Sequence, residues 1–169
     1  MNVDSIAEQL FFTTVRIDTV TQTGAPASGT GFYFAHKVGE QTFPFIVTNK
    51  HVVMGMQAGA LSFLQRQEQQ PSIGKGFRLE IVGWQDVWFG HPSPDVDIAV
   101  CPFLPLETHV KQQNNIDLFY RFITTEMIPD QEQLNKLDAL ESVTFVGYPN
   151  GIWDEANLLP IARRGTTAS

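Results

Sequence analysis

The stretch Phe45-Ile46-Val47-Thr48-Asn49-Lys50-His51-Val52-Val53 decides how this chain is read. Its first four residues are aromatic or β-branched, side chains that fit a pleated, half-buried strand. Asn49 and Lys50 interrupt the apolar run, so a strand over residues 43–49 delivers His51 just past its end. Imidazole is the side chain whose ordinary pKa lies nearest neutrality, which makes it the commonest proton carrier in catalysis. A single histidine at a strand end is ordinarily just solvated or hydrogen-bonded. The weight placed on His51 therefore rests on its surroundings.

Working outward, further short strands are expected on both sides. Residues 10–21 are rich in Thr, Val, Ile and Phe and alternate at Val15, Ile17 and Thr19. Ahead of them, Ser5 with Glu8 has the spacing of a capping box for a short helix. Residues 23–29 form a Gly/Pro/Ser turn, residues 31–35 a strand, and residues 36–42 a hairpin loop. Residues 77–88 and 98–103 read as two more strands, with the polar residues 65–76 as loop. Trp84 and Trp88 are expected to pack in the core or at its rim. Five or six short strands in the first 105 residues favour a sandwich or a closed barrel.

The character then changes. Residues 107–115 are polar and a Gly-free run follows Pro129, so residues 106–140 read as a linker with short helices. Strand character resumes over residues 142–147. Tyr148-Pro149-Asn150-Gly151 is a turn signal, and residues 158–167 offer one more strand.

The bulk composition limits the function classes. At 169 residues with 43% hydrophobic and 17% charged residues, the chain is long enough and apolar enough to bury a core. Its net charge is −7, with no cationic run longer than Arg163-Arg164, so neither nucleic acid nor an anionic membrane is an expected partner. The single cysteine, Cys101, excludes an internal disulfide and a Cys-rich zinc site. The four histidines show no metal-binding spacing, and no cofactor is expected. Residues 1–10 lack a basic, then apolar, leader, and no apolar run approaches a membrane span. The expectation is a cytoplasmic, bacterial protein.

Three segments belong together. Gly29-Thr30-Gly31-Phe32 precedes the His51 strand. Asp95-Val96-Asp97-Ile98-Ala99-Val100 follows it. Phe145-Val146-Gly147-Tyr148-Pro149-Asn150-Gly151 comes near the end. In this order they resemble landmarks of the trypsin-like (chymotrypsin-fold) serine peptidases, in particular the cysteine-poor bacterial branch similar to HtrA-type proteases. In that family a Gly-x-Gly-Phe strand leads to a strand ending Thr-x-x-His, matched by Thr48 to His51. An Asp before Ile-Ala follows, matched by Asp97-Ile98-Ala99. A Gly-Tyr-Pro-x-Gly turn lies in the second barrel, matched by Gly147 to Gly151. Asp95 competes with Asp97, but the family register puts the acid immediately before Ile-Ala.

The resemblance implies an all-β, chymotrypsin-like double β-barrel. Residues 1–105 would form a complete first β-barrel carrying His51 and Asp97. Residues 106–140 would be the helical linker, and residues 141–169 the start of a truncated second barrel. It also implies a serine endopeptidase (a hydrolase) acting on protein or peptide substrates. His51 would be the general base and Asp97 would orient it, because a serine hydroxyl is a poor nucleophile until an imidazole accepts its proton.

The family's nucleophile lies in Gly-x-Ser-Gly, after the Asp. Beyond Asp97 this chain offers only Ser142, which has no glycine beside it, and Ser169, at the end. Cys101, next to Pro102 within a strand, reads as a buried thiol rather than a nucleophile. The expectation is a fragment that is inactive alone, whose partner is the missing C-terminal half of the second barrel. The alternative is a protease-like fold without chemistry, acting as a binding or scaffold module. A Gly-x-Ser-Gly encoded downstream would separate the two.

Overall fold

A computed structural model describes residues 3–167. The chain opens with α1 (Ile6–Leu10), capped as expected: the Ser5 side chain accepts from the Glu8 N–H, and the Glu8 carboxylate accepts from the Ser5 N–H. Then come β1 (Thr14–Val20), β2 (Pro26–Val38) and β3 (Gln41–Thr48). A single helical turn, α2 (Lys50–Val53), leads to the long hairpin β4 (Ala58–Gln67) and β5 (Gln70–Glu80). Short strands β6 (Phe89–Gly90) and β7 (Ala99–Pro102) precede α3 (Phe103–Asn114). The remainder comprises β8 (Leu118–Phe119), β9 (Ile123–Thr124), α4 (Gln131–Leu134), β10 (Ser142–Gly147) and β11 (Ile161–Thr166).

Among the described residues the main sheet has nine strands, along the path β5-β4-β1-β2-β3-β7-β6, with β8 on β4 and β9 on β2. Apart from the parallel β2–β9 pair, its ladders are antiparallel. Alternation explains the packing. Val15, Ile17 and Thr19 of β1 point inward while their neighbours are only half-buried. Val15 and Ile17 meet Tyr33, Ile46, Leu61, Phe63, Leu79, Ala99, Cys101 and Phe103 in one core. Leu79 on one side of the sheet and Cys101 on the other share that core, so the sheet curls around it.

The curl is not a closed barrel, which corrects the expectation of a complete first β-barrel. Among the described residues no strand pairing joins β5 to β6. The physical reason lies in residues 77–88, expected to be one strand. The strand stops at Glu80, Gly83 turns the chain at φ +70°, and Trp84–Val87 forms a 3-10 turn. Trp84 and Trp88 then turn into the core, their ring centroids 5.4 Å apart, with Trp84 against Gly59 of β4.

Two local readings also change. The 36–42 segment is paired strand, with Val38 opposite Gln41 and only Gly39 and Glu40 left as the turn. Residues 58–67, which carry no clean alternation, form β4. Ala60 and Leu61, then Phe63 and Leu64, are buried in adjacent pairs. That pattern arises because both faces are covered: Leu61 and Phe63 join the main core, while Leu64 packs with Val3, Phe12 and Phe119 in a second cluster. Residues 65–76, expected as loop, continue this hairpin around Glu68 and Gln69.

The expected linker begins as helix, α3, whose Phe103 and Val110 are buried. The run after Pro129 forms only α4, capped by Asp130 and Gln133. The strand expected at residues 142–147 is β10. It pairs with β11 as a separate two-stranded sheet. Among the described residues no helix is long and apolar enough to cross a membrane.

Candidate active site

The ladder between β3 and β7 sets the site. It is antiparallel, and Thr48 faces Ala99. The chain leaving β3 and the chain entering β7 therefore emerge at the same end of the ladder. His51 lies just after Thr48 and Asp97 just before Ala99, so register alone brings two residues far apart in sequence to one spot.

Packing fixes the height of α2 above the sheet. Val53 is fully buried, and Val52 rests on β2 at Gly29. A Cβ on Gly29 would stand 2.4 Å from Val52 Cγ1, closer than two carbons approach, so a side chain there would lift the turn that carries His51. The far end of α2 is tied from the seam. Trp84 Nε1 donates to the Val53 carbonyl at 3.0 Å, and Gln85 Nε2 donates to the carbonyls of Val53 and Met56. Gly59 leaves the space that the Trp84 indole occupies.

His51 and Asp97 meet through two hydrogen bonds. His51 Nδ1 lies 2.5 Å from Asp97 Oδ2, and the His51 backbone N–H donates to Oδ1 at 3.1 Å. One carboxylate thus holds both the ring and the backbone of the same residue. The side-chain bond from His51, then its backbone N–H, hold the Asp97 carboxyl below the usual carboxylate range. The pair is open to solvent, with side-chain exposures of 72% and 47%. Nδ1 is engaged, and Nε2 has no hydrogen-bond partner among the described residues.

The loop before Asp97 is also tied to α2. Asn49 Nδ2 donates to the Asp97 carbonyl at 2.9 Å, and Lys50 Nζ donates to the Ser93 carbonyl at 2.7 Å. Within the loop, the Ser93 N–H donates to His91 Nδ1 and the His91 N–H to the Ile98 carbonyl. Asn49 and Lys50 were invisible as site residues in the sequence. The available signal was an Asn at a strand-to-helix junction, where such residues ordinarily cap.

The other candidates fall elsewhere. Asp95 is exposed and makes no hydrogen bond with His51 among the described residues. Cys101 is buried on the core face of β7, and burial pushes its thiol up to about 12, so it stays protonated at neutral pH. Ser142 opens β10, exposed and opposite Thr166. Ser169 lies outside the described residues. His36 Nδ1 pairs with Thr125 Oγ1, away from the His51 pair.

The segment from Gly147 to Gly151 touches the main sheet. Thr30 Oγ1 accepts from the Tyr148 N–H at 2.8 Å, and Thr48 Oγ1 donates to the Thr30 carbonyl. Arg16 donates to the Gly151 carbonyl, pairs with Asp18 and lies over the Trp153 ring at 4.6 Å. Thr30 thus links the strand that ends in the His51 turn to the hairpin. In comparisons with known proteins, no family model and no curated protein sequence matches the chain.

Proposed function

We propose that this chain carries the base and the orienting acid of a trypsin-like serine endopeptidase, with the nucleophilic serine supplied by polypeptide outside these 169 residues. The observation that carries the reading is the double hold of one carboxylate on His51, with Nε2 left facing outward. In this reading the His51 Nδ1–H donates to Asp97, which fixes the tautomer and stabilises the imidazolium once it forms. Nε2 then accepts the serine proton as the hydroxyl attacks a peptide carbonyl, and returns it to the leaving amine.

The fold reading is a chymotrypsin-like, two-module β arrangement: the curled main sheet, open between β5 and β6, as the first module and the β10–β11 hairpin as the start of the second. Its support is the single core shared around the curl and the tie from Thr30 to Tyr148. The exposure of His51 fits a site whose other wall comes from elsewhere. In this reading the protein acts on protein or peptide substrates in the cytoplasm and needs no cofactor. The test is labelling of the full-length gene product with a fluorophosphonate. Covalent labelling that vanishes in His51→Ala is expected. A folded full-length protein that never labels would leave the scaffold reading in its place.

A further inference from the structure

We infer that Asn49 and Lys50 are positioning residues that clamp the loop carrying Asp97, so that this carboxylate takes over the capping role that Asn49 gives up. The inference deepens the peptidase reading, but its observations concern only the geometry of the pair.

Asn49 stands at the N-cap of α2 with extended backbone, φ −82° and ψ 145°. Asn is among the best residues for that position because its side-chain oxygen ordinarily accepts an N–H of the following turn. Here it makes no such bond. Its amide reaches across to donate to the Asp97 carbonyl, and the Asp97 carboxylate supplies the missing acceptor to the His51 N–H. Cap and acid have exchanged partners. The helix start is satisfied only while the loop is in place, and the loop is held by the residue that would otherwise satisfy the start.

Lys50 completes the clamp. Its ammonium donates to the Ser93 carbonyl, near the beginning of the same loop, and its stem runs over Gly90 of β6, 3.3 Å from where a Cβ would be. Asn49 thus holds the loop at Asp97 and Lys50 holds it at Ser93. Asp97 itself is nearly half exposed, so core packing does not fix its rotamer. Asn49 and Lys50 supply that restraint through two carbonyls.

The two roles of Asn49 separate experimentally. Serine at position 49 keeps a side-chain acceptor for the local cap but has no amide to reach Asp97. The readout is the pair of ring ¹⁵N chemical shifts of His51 in the 169-residue chain, taken with the imidazole neutral, which report its tautomer. The expected wild-type state is predominantly Nδ1–H. Asn49→Ser and Lys50→Met are each expected to lower the Nδ1–H to Nε2–H ratio at least about fivefold, with thermal midpoints close to wild type. Lys50→Arg, which can still donate to Ser93, is expected to restore it. Asp97→Ala is the reference for complete loss. Wild-type tautomer ratios in both clamp variants, alongside a changed ratio in Asp97→Ala, would overturn the clamp while leaving the pair intact. A fluorophosphonate failure with the tautomer pattern as expected would overturn the peptidase reading alone.

Discussion

The main sheet and the β10–β11 hairpin solve the problem of staying folded in different ways. In the main sheet, inward side chains from seven strands meet in one core with residues of α2 and α3, and Ile17, Ile46, Leu61, Val53 and Phe103 are completely buried. The hairpin has two strands, and its Phe145 is 64% exposed. An isolated two-stranded ribbon is marginal in water. Its attachments are the Thr30–Tyr148 bond, the Arg16–Gly151 bond, the stacking of Arg16 on Trp153, and Leu158 and Leu159 of its connecting segment against the small cluster of Phe12, Leu64 and Phe119. The contrast teaches where precision resides. His51 and Asp97 grow from the β3–β7 ladder, the well-packed part, while the hairpin that touches the same strands through Thr30 is held by side-chain contacts.

The comparison breaks most visibly under truncation of one aromatic in each region. Phe103→Ala removes a fully buried ring and is expected to cost about 3–5 kcal/mol in urea unfolding. Phe145→Ala, on the exposed face of β10, is expected to stay within about 0.5 kcal/mol. Equal losses would mean that the hairpin is as tightly packed as the sheet.

Gly29→Ala sharpens the account of how α2 is seated. The new methyl meets Val52 at 2.4 Å, and overpacking of this kind costs about 1–3 kcal/mol. Because the strain falls on α2, the His51–Asp97 bond should loosen as well, visible as a changed His51 tautomer ratio. A variant as stable as wild type with an unchanged ratio would contradict that seating.

Arg16→Met separates the regions from the hairpin side. Loss of the Gly151 bond and the Trp153 stack is expected to raise amide exchange in β10 and β11 roughly tenfold while leaving β2 and β3 unchanged. Uniform acceleration across both sheets would show that they open as one unit.

The smallest effect is one of pH. The Asp97 carboxyl is held below its ordinary value by His51. A group whose folded pKa is depressed stabilises fully above its unfolded pKa, about 3.9 for Asp, and loses that contribution as pH falls through the lower folded value. The difference in urea midpoint between wild type and Asp97→Asn should therefore close as the pH falls below about 4. A gap that widened in acid would reverse the assignment.

How much of this was legible in the sequence depends on whether local pattern or tertiary contact decided each element. Ser5 with Glu8, and residues 142–147, were legible because a capping spacing and strand-type composition are local. β4 was not, since its adjacent buried pairs serve two cores and erase the period that marks a strand. The seam between β5 and β6 was not legible either. Residues 77–88 alternate acceptably, and only the coordinates show that the strand ends at Glu80 and that Trp84 and Trp88 turn into the core. His51 and Asp97 were found as residue types in a motif order. Their convergence required the β3–β7 register, and the ties through Asn49, Lys50 and Gln85 required coordinates, because nothing local distinguishes a side chain that reaches across from one that faces water.

The most direct test of the central claim is hydrolysis of an unstructured protein substrate by the full-length gene product and its His51→Ala and Asp97→Ala variants. An oriented general base predicts cleavage that falls about 10⁴-fold or more in His51→Ala, with a large loss in Asp97→Ala as well. Cleavage undiminished in His51→Ala, or none at all from a correctly folded full-length protein, would contradict the account.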